Sequence, residues 1–260
     1  MPDEPRLALF IDLENVALGA TQSKLEDFDI QRVLERLVEK GKIVVKKAYA
    51  DWTHYKKFKQ ALHEAGIELI DIPQRRYSGK NSADIKMVVD AMDLCNSKDH
   101  INYFVLASGD SDFAPLVSKL KENNKTVIGV GLRSSTSELL ASNCDEFIFY
   151  DDLVKQPSSS SKAASRLSHL PKKKATKAFE MVLDAMEALR REDKEVLWSS
   201  MVKQTIKRKQ PSFSEGAYGY SSFSELVEDG AAMGLFNIAK DEKSGSYIIT
   251  ELEQNGAPRR

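Results

Sequence analysis

Two hydrophobic periods alternate through roughly the first 150 residues. Near-continuous apolar runs, rich in β-branched and aromatic residues, occupy 7–13, 43–50, 67–72, 101–107, 126–130 and 146–150. Such runs predict strands of a parallel sheet covered on both faces, because they leave no alternate position for water. Between them apolar residues recur at helical spacing. Ile30, Val33, Leu34, Leu37 and Val38 mark one helix, with Asp29 as its N-cap and Gly41 past its end. Tyr55, Phe58, Ala61, Leu62 and Ala65 mark a second, between Thr53 and Gly66. Residues 83–95, 113–122 and a short stretch near 136–141 predict three more. Strand–helix alternation of this kind predicts an α/β domain of three layers, doubly wound about a mainly parallel sheet.

Residues 155–175 break the pattern with two prolines, a serine run and a lysine cluster, the composition of a flexible basic linker. The Lys triplet within it suits a phosphate-binding or localisation patch as well as a spacer. Helical spacing returns at 178–189, 196–207 and 221–233, and two strand-like runs at 235–239 and 246–250 flank the turn-like DEKSG. Three helices and a terminal hairpin predict a small winged-helix-like domain over 176–252, followed by a disordered tail at 253–260. That shape is often used on nucleic acids, although shape alone does not fix use.

Composition changes this picture in few places. With 42% apolar and 30% charged residues the chain is globular, and its 260 residues suffice for two domains. A net charge of −1 conceals an excess of Lys and Arg between residues 155 and 210. The excess suits a polyanionic partner, or a solvated lysine-rich segment with no partner at all. Cys95 and Cys144 lie in apolar segments without metal-ligand spacing, which reads as two core thiols in a reducing compartment. The N-terminal MPDEPRLALFIDLEN is acidic at once, with an apolar run too short for a signal peptide. No stretch approaches the roughly 18 apolar residues of a membrane span. The expectation is a soluble, cytoplasmic protein with no membrane contact.

Carboxylates recur where an open α/β sheet binds its ligands, beyond the carboxyl ends of the strands. Asp12 ends the first run in FIDLEN, Asp110 and Asp112 follow the fourth in ASGDSDF, and Asp84 opens the helix in NSADIKMVVDAM. If the first and fourth strands are neighbours, these four converge. Clustered carboxylates either take up protons or share a cation, and an all-oxygen donor set selects Mg²⁺ or Mn²⁺ over Zn²⁺. An ion so held serves phosphodiester hydrolysis. Each residue also has a plainer reading. Asp12 suits a turn, Asp112 an N-cap of the following helix, and Asp84 a first-turn acid favoured by the helix dipole. Asp90 and Asp93 read as solvated or structural, and Glu14 as peripheral. Asn15 suits a ligand-orienting or phosphate-holding role, or closure of the turn. Ser108 and Ser111 offer hydroxyls to substrate. Lys80 and Arg133 are candidate phosphate-binding cations, or ordinary surface charges.

FIDLEN, GKNSADIKMVVDAM, LASGDSDFAPL and VIGVGLRSSTSELLASNCDEFIF resemble, in order and spacing, the NYN domain of the PIN-like ribonuclease superfamily across residues 5–152. The resemblance implies a nuclease domain over residues 1–154. It also implies an acidic metal site of Asp12, Asp84, Asp110 and Asp112 with Asn15 beside it, cleaving RNA with Mg²⁺ or Mn²⁺. PSFSEGAYGYSSFSELVED and the following LFNI resemble the LOTUS domain, also called OST-HTH. That implies RNA binding or docking of a protein partner. Lys203, Lys207, Arg208 and Lys209 make a basic helix end in keeping with RNA. Tyr218 and Tyr220 suit stacking on bases or packing in a small core.

Rival chemistries fit less well. A haloacid-dehalogenase-like phosphatase places a second aspartate two residues after the first, where this chain has Glu14. A dinucleotide or P-loop site needs a glycine-rich loop after the first strand, and DLENVALGA is not one. A non-catalytic RNA-binding adaptor remains as the alternative from another class. Four clustered negative charges are of no use to it in holding an anion.

Overall fold

The computed structural model describes residues 5–23, 28–72, 82–155, 174–241 and 245–250. The chain divides into two compact units, Met1–Lys155 and Gln156–Arg260. The linker expected at 155–175 lies almost wholly outside the described residues, as do Lys80 and the tail at 253–260.

In the first unit six strands, β1 (Arg6–Asp12), β2 (Lys42–Ala50), β3 (Glu68–Asp71), β4 (Tyr103–Ala107), β5 (Thr126–Gly131) and β6 (Glu146–Phe149), form one sheet. Their order is β3-β2-β1-β4-β5-β6 and every pairing is parallel. The near-continuous apolar runs are explained by helices on both faces. Along β1, Leu7, Leu9 and Ile11 enter one core and Ala8 and Phe10 the other, as a period of two requires. The first core is closed by α1 (Leu13–Gln22), α2 (Ile30–Lys40) and α3 (Lys56–Glu64). The second is closed by α4 (Ser82–Ser97), α5 (Ala114–Glu122) and α6 (Glu138–Asn143). Three layers result, as the alternation predicts.

The punctuation is chemical. Asp29 caps α2 by accepting from the Gln31 N–H at 2.9 Å, and Gly41 follows its last residue. After α3 the chain reverses through Gly66, whose φ of 65° lies in the left-handed region that glycine tolerates. Thr53 does not cap α3. Its hydroxyl and N–H are taken by Asp51, and the helix starts after Tyr55. Two helices escape the sequence pattern: α1, which follows β1 with no break, and α7 (Tyr150–Lys155) after β6. A 3-10 turn, Ser111–Phe113, precedes α5, so the helix proper begins one residue later than expected. Cys95 is buried, Cys144 half-buried, and both are free thiols.

The second unit contains α8 (Lys174–Arg191), α9 (Ser199–Lys209) and α10 (Phe223–Ala232), with a three-stranded sheet ordered β7-β9-β8. The hairpin of β8 (Asn237–Lys240) and β9 (Tyr247–Thr250) is antiparallel, as expected. The helix expected at 196–207 is corrected. Leu197–Trp198 form β7, which pairs with Ile249 and Ile248 of β9, and α9 starts only at Ser199. Apolar spacing ran through that junction because Leu197, Val202 and Ile206 all enter the same core.

Candidate active site

The sheet changes winding direction between β1 and β4, which is where open α/β sheets form their crevice. Ile11 pairs with Ala107, so Asp12 and the loop after Ala107 leave adjacent strands side by side. The condition on which the convergence of carboxylates depended is therefore met.

Asp12 follows the parity of Ala8 and Phe10, toward the layer that holds α4. It is 7% exposed. Its carboxylate caps α1, accepting from the Asn15 N–H at 3.2 Å, and also accepts from the Ser108 hydroxyl at 2.9 Å. The plain alternative of a strand-ending turn is thus replaced by a helix cap. Burial raises its pKa to about 7; the two hydrogen bonds oppose that, while the charges of Asp84 and Glu14 add to it. Asp84 sits in the first turn of α4. Its carboxyl is likewise raised, by burial and then by Asp110, Asp112 and Glu14. The acidic residues thus lie within one another's fields. Glu14, read from the sequence as peripheral, acts on both Asp12 and Asp84; its place in FIDLEN next to the capping turn was the available signal.

Asp110 caps the 3-10 turn through the Asp112 N–H at 3.0 Å, so Asp112, which is exposed, is not the cap itself. Asn15 accepts from the Gly109 N–H at 2.8 Å and so ties α1 to the loop that carries Asp110 and Asp112. Ser108, expected among the substrate donors, is fully buried and is reassigned. It donates to Asp12 and accepts from the Asp110 N–H at 3.2 Å. Ser111 remains half-exposed on the loop. Gly109 is required by close approach: a Cβ there would lie 2.3 Å from the Ser135 carbonyl oxygen, a backbone atom with little room to retreat. Gly109→Ala is expected to cost about 1–3 kcal/mol of stability, read from denaturant midpoints at unchanged slope.

Helix α4 is held in place below Asp84 by a charged network. Tyr49 donates to Asp90 at 2.8 Å, Lys86 donates to it at 2.7 Å, and Lys47 lies 3.5 Å away. Burial works against the Asp90 charge, but the Lys86 and Tyr49 hydrogen bonds and the Lys47 charge outweigh it and hold the carboxyl below its ordinary range. The structural reading of Asp90 follows, while Asp93 is exposed. Arg133 turns away from a free phosphate-binding role. Its guanidinium pairs with Asp152 at 2.6 Å and lies over the Phe149 ring.

Among the described residues no three Asp, Glu, His or Cys side chains already stand in a geometry that closes on one ion. The donor chemistry nonetheless fits a hard cation. The acidic set offers only oxygen, is repelled internally, and includes a buried carboxylate raised to about 7. A cation would relieve that repulsion. Ser108→Ala removes a donor that favours the charged form of Asp12 and so raises its pKa further. The expected result is about tenfold weaker Mn²⁺ binding near pH 7, recovered at higher pH in calorimetric titrations.

In the second unit the basic helix end is partly neutralised. Lys203 pairs with Glu215 at 2.7 Å, Lys209 with Asp184 at 2.9 Å, and Arg208 donates to Thr205 at 3.0 Å, whereas Lys207 is exposed. Tyr218 stacks on Phe213 and Tyr220 packs edge-on against Phe179 while donating to Asp229. Both rings pack against the domain core, which favours the packing reading over base stacking. No helix among the described residues is long and apolar enough to cross a membrane.

Residues 6–152 match the model of the NYN domain, and residues 176–246 that of the OST-HTH/LOTUS domain. An uncharacterized protein of Methanocaldococcus jannaschii is 30% identical over 145 residues, a match covering 56% of this chain and 55% of that protein. The chain therefore spans little more than half the length of this curated relative. The crystal structure of a protein of unknown function from Vibrio parahaemolyticus aligns with a TM-score of 0.52 at 25% identity. That alignment covers 59% of this chain and 97% of the other.

Proposed function

We propose, since this chain belongs to the NYN domain family, that it hydrolyses RNA phosphodiester bonds with a divalent ion held by Asp12, Asp84, Asp110 and Asp112. The family lies in a ribonuclease-type superfamily, and an OST-HTH/LOTUS domain in the same chain supports a role on RNA. The observation that carries the reading is the mutual influence of these carboxylates at the β1–β4 crevice, with Asp12 buried and raised to about 7. When bound, Mg²⁺ or Mn²⁺ supplies neutralisation of charge on the phosphate and activation of the attacking water.

The chain's own residues set the conditions for that. Asp12 must lose its proton before it can ligate, so binding strengthens as pH rises toward about 7. Ser108 and the Asn15 N–H favour its charged form. Asn15 joins α1 to the Gly109 loop and so keeps Asp12 in register with Asp110 and Asp112. Ser111 and Lys80 are assigned to the substrate phosphates. The nuclease domain is taken as 1–154 and the RNA-recruiting module as 176–252, with the basic linker raising the local concentration of RNA. Lys203, Lys207 and Arg208 supply its cationic face, and binding is salt-dependent in consequence.

The test is cleavage of labelled single-stranded and structured RNAs by the purified chain with Mn²⁺, with Mg²⁺ and with EDTA. Metal-dependent cutting supports the assignment. Tight RNA binding in EDTA without cutting under any condition moves the reading to the adaptor. The packing of Tyr218 and Tyr220 favours one second possibility for the smaller domain, docking of a protein partner in place of base stacking.

A further inference from the structure

A shallow, open groove of about 610 Å³ lies beside Asp112. One wall runs from Ser111 and Asp112 through Pro115 to Ser118 at the start of α5; the other is Leu139 and Asn143 on α6. Among the described residues no lysine or arginine lines it, and so none there offers a phosphate a partner. Asp112, which already belongs to the candidate active site, is the lone carboxylate among the described lining residues.

The apolar part of the groove is conspicuous. Leu139 is 57% exposed, although its neighbour Leu140 is buried in the core. The platform is also fixed relative to the acidic loop. The Ser137 N–H donates to the Gly109 carbonyl at 2.8 Å, and the Ser137 side chain caps α6. Gly109 directly precedes Asp110, so Leu139 and the carboxylates share one backbone anchor.

Acceptors predominate among the polar groups. Asn143 gives one Nδ2 N–H to the Leu139 carbonyl at 2.7 Å, and the Ser118 hydroxyl donates to the Ala114 carbonyl at 3.3 Å. Left to face a ligand are the Asn143 and Ser118 side-chain oxygens and the Asp112 carboxyl, against the second Asn143 N–H and the Ser111 hydroxyl, which can donate or accept. A flat, uncharged ligand with an apolar face and hydrogen-bond donors on its edge matches this combination.

We propose that this groove is a base subsite: it receives the nucleobase adjoining the phosphate engaged by the carboxylates, and prefers a base with an exocyclic amine to uracil. The phosphate's place rests on the ribonuclease reading; the chemistry of the groove does not.

The test uses the full chain and a set of oligouridylates, each carrying one 6-thioguanosine at a different position, photocrosslinked in Ca²⁺ and digested with trypsin. The two walls fall in the tryptic segments 99–119 and 134–155. The expected result is a crosslink to one of these segments from a single RNA position, reduced about tenfold by Leu139→Glu and less by Leu139→Ala. Plain oligouridylate should compete about tenfold more weakly than an oligomer with adenine or cytosine at that position. Crosslinks confined to other segments, or a groove crosslink indifferent to Leu139→Glu, overturn the subsite. Leu139 is largely exposed, and circular dichroism of both variants checks that a lost crosslink is not lost folding. Parallel cleavage in Mn²⁺ separates the two readings. Groove crosslinking without cleavage sinks the ribonuclease assignment and keeps the subsite, whereas cleavage without groove crosslinking does the reverse.

Discussion

Asp110→Asn is expected to lower RNA cleavage by at least about a thousandfold, the factor that several kcal/mol of lost charge stabilisation carries. The substitution is informative because it isolates charge from structure. In the folded chain the Asp110 carboxylate accepts from the Asp112 N–H and so caps the 3-10 turn before α5. Asparagine caps about as well as aspartate, so the turn and the Gly109 loop survive. What disappears is a full negative charge that acts on Asp84. RNA binding in EDTA should stay within about twofold of the parent, since the substitution leaves intact every cation assigned to it, Lys80 and those of the second unit alike. Gel-based cleavage time courses, binding isotherms in chelator and circular dichroism check the three statements together. Undiminished cleavage by a folded Asp110→Asn chain sinks the catalytic assignment.

The parts of this site that could be read from the sequence are those fixed by strand ends. A parallel sheet sends its functional residues to the carboxyl edge, so Asp12 after one apolar run and Asp110 and Asp112 after another were legible as soon as β1 and β4 were recognised as strands. Their adjacency was a condition the sequence could not supply, because strand order depends on long-range pairing; the β1–β4 register meets it. Helix α1 was hidden for a local reason. Its cap, Asp12, is also the last residue of β1, so no turn signal separates strand from helix. Two side-chain roles were illegible because they depend on partners distant in sequence. Ser108 reaches back 96 positions to Asp12, and Arg133 is drawn to Asp152. Composition treats both as ordinary polar residues near a site. Burial decides the first, by removing the hydroxyl from any substrate. A neighbouring carboxylate and an aromatic ring decide the second.

Burial of an ionisable residue also carries a thermodynamic signature, and Asp12→Asn exposes it. The folded chain holds the Asp12 proton up to about pH 7, whereas the unfolded chain releases it near the ordinary value of 3.8. Between those limits the folded state binds more protons than the unfolded one, so stability falls as pH rises. The contribution is complete below about pH 4 and is lost as pH passes through about 7. Roughly three pH units at 1.36 kcal/mol each bound the effect at about 4 kcal/mol, and relaxation around the carboxylate reduces it to about 2 kcal/mol. Asparagine keeps an acceptor for the Asn15 N–H and carries no charge to desolvate. In EDTA at pH 8, Asp12→Asn should therefore raise the melting temperature of the nuclease domain by about 4–8 °C. At pH 4 the difference should vanish. Mn²⁺ at a hundred times its Kd should restore about 2.7 kcal/mol to the parent chain and little to the variant, reversing their order. An Asp12→Asn chain that melts lower than the parent at pH 8 in EDTA would mean that the carboxylate is stabilised in place without a cation. The repulsion and desolvation that a cation is proposed to relieve at Asp12 would then be absent.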